Sequence, residues 1–401
     1  MFNLNISSDR PAKISTQTTE HVLRISLQPQ VIGTAGIPLH LAIAIDTSSS
    51  MTGNKLEQAK AACHSILSQL RPQDRLSLAS YAGRVQEIAA NNQDSINSLT
   101  ANGITRTDLA LEWLQSKLNQ NDSCVKLAIL ITDGHATTLQ GIKITDVSPL
   151  LSQATQLRDQ GIILHTVGLG SAADFDTTFL NDLCTQGRGR FIYADTPDNL
   201  TPQLQESLTN SQYIVSASAN IQLKPLNGSK ITGYCQFRPQ YQPLEESQPN
   251  QLSLTAVRSD TPTDILVKLE VPPLEVGKPL GKYPVLDVFL NNENQFLTQQ
   301  QASLIYTQSF KESQQTDKSI NQDRLCWEMN LYSTELLHSN DPNKTGVLLA
   351  NIQVNASKTG QIDLANKAAE QLEDLQKTGK LDPHKTTKIL IQVRQGGENN
   401  E

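Results

Sequence analysis

The chain has 401 residues, enough for two or three domains and at least one large core, so neither disulfides nor a metal is needed merely to fold it. A net charge of −7 with no Lys/Arg cluster argues against nucleic acid as the main partner, and 18% charged residues is too few for a solvated tail. Cys63, Cys124, Cys184, Cys235 and Cys326 are odd in number, far apart and form no C-x-x-C pair, which suits reduced thiols in a cytosolic protein.

The opening MFNLNISSDRPAK has neither the charged start nor the apolar run of a signal peptide. The longest apolar runs, such as 41–45 and 127–131, are strand-sized and far below the roughly 20 residues that span a bilayer. A cytoplasmic protein without a membrane partner is expected. The sequons at Asn121-Asp122-Ser123 and Asn227-Gly228-Ser229 are then chance matches, since glycosylation needs the secretory route.

Within residues 1–37, Val22, Leu23, Ile25 and Leu27 give the segment 20–31 a strand-like pattern, and it is expected to join a sandwich formed later in the chain. From 38 to 210, short apolar runs alternate with amphipathic segments. Residues 41–45 read as a buried strand. In the following KLEQAKAACHSILSQL, Leu56, Ala59, Cys63, Ile66, Leu67 and Leu70 fall on one helical face. Runs 75–81 and 85–90, separated by Ala-Gly-Arg, predict a hairpin. Helices are predicted at 109–118, 147–157, 175–183 and 200–208, and strands at 127–131, 162–167 and 190–193. This alternation predicts an α/β fold with a doubly wound, mostly parallel sheet and helices on both faces.

Between 211 and 318 the pattern changes to strands at 213–223, 229–236, 251–257, 264–271, 283–290 and 303–308, parted by Pro, Gly and Asn. These read as an added antiparallel β-sandwich. Residues 319–401 return to helical periodicity at 324–337, 346–357, 362–378 and 386–394, ahead of a frayed GGENNE tail. The 362–378 segment is similar to one tetratricopeptide-like unit, but one unit is not an array.

The chemistry gathers at strand ends. Asp46-Thr47-Ser48-Ser49-Ser50 follows the first strand of the α/β region, Thr132-Asp133-Gly134 follows the strand at 127–131, and Gly103-Ile104-Thr105 lies between. Loops at the carboxyl ends of adjacent parallel strands meet where strand order reverses. If those two strands are neighbours, Asp46, Ser48, Ser50, Thr105 and Asp133 converge. All five offer oxygen, the donor set of a hard cation; Mg²⁺ is favoured, with Mn²⁺ or Ca²⁺ as substitutes. With neutral hydroxyls as ligands and carboxylates acting through water, the ion stays under-neutralised and should attract an anionic oxygen from outside. Singly, each residue has a plainer explanation: Asp46 and Ser50 as caps of the next helix, Asp133-Gly134 as a turn.

The runs LHLAIAIDTSSSMTGNKLEQAK, DRLSLASYAGRV, GITRTDLAL and KLAILITDG, in this order over about 38–210, resemble the von Willebrand factor A (VWA) domain and its metal-ion-dependent adhesion site. The resemblance implies Ser48 and Ser50 as direct metal ligands, Thr105 as a direct or water-mediated one, and Asp46 and Asp133 as carboxylates acting mostly through water. It also implies a Rossmann-like sheet with one antiparallel edge strand. Two departures stand out: Ser49 where the family often has Gly, and Ile104 where a second Gly is common. Ile104 and Arg106 could alter loop mobility or repel a metal. The flanking sandwich and helices resemble, by layout, bacterial intracellular proteins that join this domain to a β-sandwich.

No enzyme motif is found: there is no G-x-S-x-G and no H-E-x-x-H, and Gly277–Lys282 lacks the length and following Ser/Thr of a phosphate loop. His135 reads as a rim residue rather than a base, Cys184 as a buried helical cysteine, and Trp113 and Trp327 as core. The expected function is non-enzymatic capture of a protein partner through its Asp or Glu carboxylate, within an intracellular assembly. The resemblance implies that an AAA-type ATPase is one such partner. The alternatives are a metal-assisted hydrolase using the same ion and an extracellular adhesin.

Overall fold

The computed structural model describes residues 2–30, 36–89, 93–119, 123–194, 197–216, 219–254, 256–292 and 295–395. Residues 31, 90, 121–122 and 396–401, which carry parts of the strand, hairpin, sequon and tail expectations, lie outside these. The chain divides into two compact units, Ala35–Val215 and Met1–Thr34 with Ser216–Glu401.

In the first unit a six-stranded sheet runs in the order Val85–Ile88, Arg75–Tyr81, Leu39–Asp46, Val125–Thr132, Ile162–Leu169, Arg188–Ala194. All neighbours are parallel except the Arg75–Tyr81 and Val85–Ile88 hairpin at the edge. Leu39–Asp46 and Ile162–Leu169 are buried at every position, as expected of strands covered by helices on both faces. Asn54–Gln69 lies against Pro197–Gln212, while Thr107–Leu118, Ser148–Asp159 and Thr177–Gln186 pack in succession.

Among the described residues the second unit has two large sheets. One orders Phe2–Ser8, Thr19–Pro29, Thr263–Val271, Lys230–Arg238 and Gln242–Pro243, antiparallel throughout. The other orders Glu246–Gln248, Gln251–Ser253, Ala219–Pro225, Gly281–Asn292, Gln295–Thr307 and Ala12–Ile14. Its last pair is parallel, so the sandwich is not wholly antiparallel. Of the segment read as one strand over 213–223, the described parts are Ile214–Ser216 and Ala219–Pro225, and residues 217–218 lie outside the described residues.

The period of two in Thr263–Val271 explains how this unit is layered. Ile265, Val267 and Leu269 face the core between the sheets with Leu23, Ile25, Ile221 and Val288. Leu266 belongs to a second core with Val22, Phe237, Trp327, Met329 and Ile352. Helices Lys318–His338, Pro342–Lys358, Ile362–Thr378 and Pro383–Gln395 build that second core. The helical segment set apart at 319 on the sequence therefore shares a core with the sheet. Lys268 lies over the Trp327 ring at 5.3 Å. Among the described residues no helix is long and apolar enough to cross a membrane.

Candidate metal centre

The strand Leu39–Asp46 ends at Asp46, and its parallel neighbour Val125–Thr132 leads into Asp133. The strand order runs outward in both directions from this pair, the switch point at which open α/β sheets bind ligands. Both carboxylates are completely buried, at 0% exposure, so each needs donors. Asp46 Oδ1 accepts the Ser48 backbone N–H at 2.7 Å and Oδ2 accepts the Thr132 hydroxyl at 2.7 Å. Burial pushes the Asp46 carboxyl up to about 6 against the pull of these donors, and nearby Asp133 adds to the rise. Asp133 Oδ1 accepts the Ser50 hydroxyl at 2.7 Å, and Oδ2 accepts the Lys55 ammonium at 2.7 Å.

All four carboxylate oxygens are thus engaged by protein donors. Ser48 and Ser50 Oγ lie 3.1 Å apart. Neither the Ser49–Met51 turn nor the Asn54–Gln69 helix has a side-chain cap, so Asp46 and Ser50 do not act as helix caps. Thr105 is fixed through its backbone: its N–H donates to Thr137 Oγ1 at 3.0 Å, and its carbonyl accepts the Thr137 N–H at 2.8 Å. A Cβ placed on Gly134 would stand 3.3 Å from Ser50 Oγ and 3.7 Å from Thr105 Oγ1. The glycine therefore keeps open a cradle bordered by both hydroxyls. The five expected residues do come together, and their all-oxygen donor set fits a hard divalent cation.

Ser49, the first departure, and Arg106, beside the second at Ile104, have local roles. Ser49 Oγ accepts the Gly103 N–H at 3.0 Å while its own N–H donates to the Gly103 carbonyl at 3.0 Å. A glycine at 49 could make only the second bond, so the side chain adds a tie between the two site loops. Arg106 directs Nε and Nη2 at Asp108, at 2.8 and 2.6 Å, so its charge is balanced there.

A family model for the von Willebrand factor type A domain matches residues 40–207. Residues 40–207 form a von Willebrand factor type A domain. Human inter-alpha-trypsin inhibitor heavy chain H6 is 31% identical over 180 residues, covering 39% of this chain and 13% of that protein. An uncharacterized protein of Synechocystis sp. is 26% identical over 200 residues, covering 47% of this chain and 46% of that one. The chain thus spans less than half the length of either relative. Among solved structures, a von Willebrand factor type A protein from Catenulispora acidiphila superposes with a TM-score of 0.77 at 16% identity, covering 98% and 96% of the two chains. The ArnB paralog VWA2 from Sulfolobus acidocaldarius gives 0.61 at 15% identity over 99% of each. These two share the fold. Type A domains typically mediate protein–protein interaction and commonly bind a divalent metal.

Two residues of the site escape a sequence reading, and a third shows only part of its role. Thr132 stands in the T-D-G read from the sequence, but its bond to Asp46 does not show there. Thr137, which holds Thr105, has no sequence signal. Lys55 reads as a polar helix residue, yet it reaches back to Asp133. His135 is half-buried, with Nε2 facing the Lys143 ammonium at 3.4 Å. Burial and Lys143 together lower its affinity for a proton. The Cys184 thiol donates to the Asn181 carbonyl at 3.1 Å inside its helix. Trp113 and Trp327 are buried.

Proposed function

We propose that the protein is a non-enzymatic binding module that captures a partner's Asp or Glu carboxylate at a metal held by Ser48, Ser50 and Thr105, with Mg²⁺ as the resident ion. The observation that carries this is the cradle beside Gly134, edged by hydroxyls whose supporting carboxylates are already engaged from behind. A bound divalent ion supplies positive charge and an open coordination position there. Ser48 and Ser50 hold it, Thr105 completes the hydroxyl set, and Asp46 and Asp133 neutralise it in part from behind. The deficit of negative charge favours a carboxylate from outside over another water.

Around this centre, the Thr137–Lys143 bridge displays Leu139 and Ile142 at 66% and 65% exposure. Thr105 anchors that loop, so an apolar contact beside the acidic residue accompanies capture. Hydrolysis is the weaker reading, because His135 faces a lysine rather than a nucleophile. Four of the five cysteines are buried, and none is joined in a disulfide, which suits a cytoplasmic setting.

The test is a pull-down from cell extract with Mg²⁺ and with chelator, using wild type and Ser48→Ala/Ser50→Ala. Capture should require both the ion and the serines, and AAA-type ATPases are the first class to look for. A partner retained equally under all four conditions would overturn the proposal.

A further inference from the structure

We infer that Lys55 sets how tightly the type A site holds a divalent cation and how strongly that cation draws a carboxylate, by sharing Asp133 with it and passing to Asp174. The inference rests on the metal reading above. Lys55 Nζ lies 2.7 Å from Asp133 Oδ2 and 3.4 Å from Asp174 Oδ2, so the ammonium stands between two carboxylates of different character. Asp133 is wholly buried, whereas the Asp174 side chain is half exposed.

The path of the lysine is built into the fold. A Cβ on Gly170 would stand 2.8 Å from Lys55 Cε and 3.3 Å from Nζ, and Gly170 has φ +87°. Only glycine gives this backbone while leaving room for the lysine stem. The adjoining loop is fixed by Phe175, buried edge-on against Phe191 and Tyr193, so Asp174 is presented at a set distance.

Asp133 has one oxygen toward Ser50 and the other toward Lys55. Charge that Asp133 shares with the ammonium is not available to a cation at the hydroxyls. Lys55 therefore weakens cation binding and leaves a bound cation more attractive to an outside carboxylate. Asp174 relieves the repulsion by accepting the ammonium when a cation arrives.

The experiment is calorimetric titration of Mn²⁺ into the full chain as wild type, Lys55→Met, Asp174→Asn and the double variant. Lys55→Met should bind Mn²⁺ about ten-fold more tightly, and Asp174→Asn several-fold more weakly. In the Lys55→Met background Asp174→Asn should have almost no effect, since its role runs through the lysine. Acetate, standing in for a partner's carboxylate and followed by water proton relaxation, should bind Mn²⁺-loaded Lys55→Met several-fold more weakly than Mn²⁺-loaded wild type. Equal or weaker Mn²⁺ binding by Lys55→Met, or additive effects in the double variant, would overturn the role of Lys55 alone. Wild type that binds no Mn²⁺ would overturn the metal reading and this inference together. Asp174 lies on the surface, so its variant tests the idea even if Lys55→Met loses stability.

Discussion

Arg71 and Asp74 form a fork-to-fork ion pair, with Nη2–Oδ1 at 2.8 Å and Nε–Oδ2 at 2.9 Å, that ties together the two ends of the type A unit. Arg71 also donates to the carbonyls of Ile37 at 3.0 Å and Gln212 at 2.9 Å. Asp74 accepts the Leu39 N–H at 2.9 Å and the Gln212 side-chain amide at 3.1 Å. Burial works against the Asp74 charge, but these donors, Arg71 foremost, hold its carboxyl below the usual range.

Arg71→Ala should therefore cost far more than a surface ion pair. It removes the charged partner of a buried carboxylate, which keeps the Leu39 N–H and the Gln212 amide, and takes a donor from two carbonyls, a loss of about 2–3 kcal/mol. Thermal unfolding of the type A unit should drop by several degrees; a shift within one degree would show that the pair is dispensable.

Gly134→Ala tests the cradle directly. The added methyl would press on the Ser50 hydroxyl at 3.3 Å and come into contact with that of Thr105 at 3.7 Å. Mn²⁺ affinity should fall about ten-fold, by the sensitivity of hard-cation sites to geometry, while the melting temperature without metal stays close to wild type. Unchanged affinity in calorimetry would mean the cation lies elsewhere.

His165 makes the type A unit sensitive to acid. Its Nδ1 accepts the Arg190 N–H at 3.0 Å, and burial, aided by the Arg190 charge, pushes its pKa from 6.5 down to about 3. The unfolded chain takes up this proton near 6.5 while the folded one refuses it, so stability is lost as pH falls from 6.5 toward 3. By pH 4.5 the loss should be about 2–3 kcal/mol. His165→Asn keeps an acceptor but cannot titrate, so its urea midpoint should approach that of wild type as the pH is lowered. Parallel curves between pH 4.5 and 7.5 would exclude His165 as the source.

Asp323 fastens the C-terminal helices to the first sheet of the sandwich unit. Arg238 reaches its two oxygens at 2.7 and 3.0 Å and Arg24 reaches Oδ2 at 2.9 Å, while Asp323 itself is buried. Asp323→Ala removes the anion that both arginines share, and because Arg238 keeps Asp264 at 3.0 Å the cost should be about 2–3 kcal/mol. Limited proteolysis should then cut within Lys318–Gln395 much faster than in wild type. An unchanged digestion pattern would argue that apolar packing alone holds the helices.

The α/β architecture was legible because its strands are continuous apolar runs and its helices carry one apolar face. The fully buried Leu39–Asp46 and the face led by Leu56, Ala59 and Cys63 need little tertiary context to be recognised. The site residues stood out because D-x-S-x-S and T-D-G fall at strand ends. Contacts that join distant segments left no local pattern. Ala12–Ile14 is a three-residue strand that pairs with Ile305–Thr307, far away in sequence. Lys55 obeys the helix pattern while serving a loop 78 positions away in sequence. Residues 319–401 read as a separate region because periodicity tells which helix face is apolar, not what covers it.

The pairing of Leu27 with Thr263 and of Thr19 with Val271 bears on how the chain is made. As the polypeptide leaves the ribosome, Phe2–Ser8 and Thr19–Pro29 can close on each other, but their apolar face and open edge have no cover. About 240 further residues must be synthesised first, some 10–50 s at ordinary elongation rates. Throughout that interval Leu23, Ile25 and Leu27 are exposed on a nascent strand, the kind of surface that chaperones bind and that seeds misassembly. The type A unit, contiguous from Ala35 to Val215, can fold during the wait. Translation thus makes the type A unit first and the sandwich unit second.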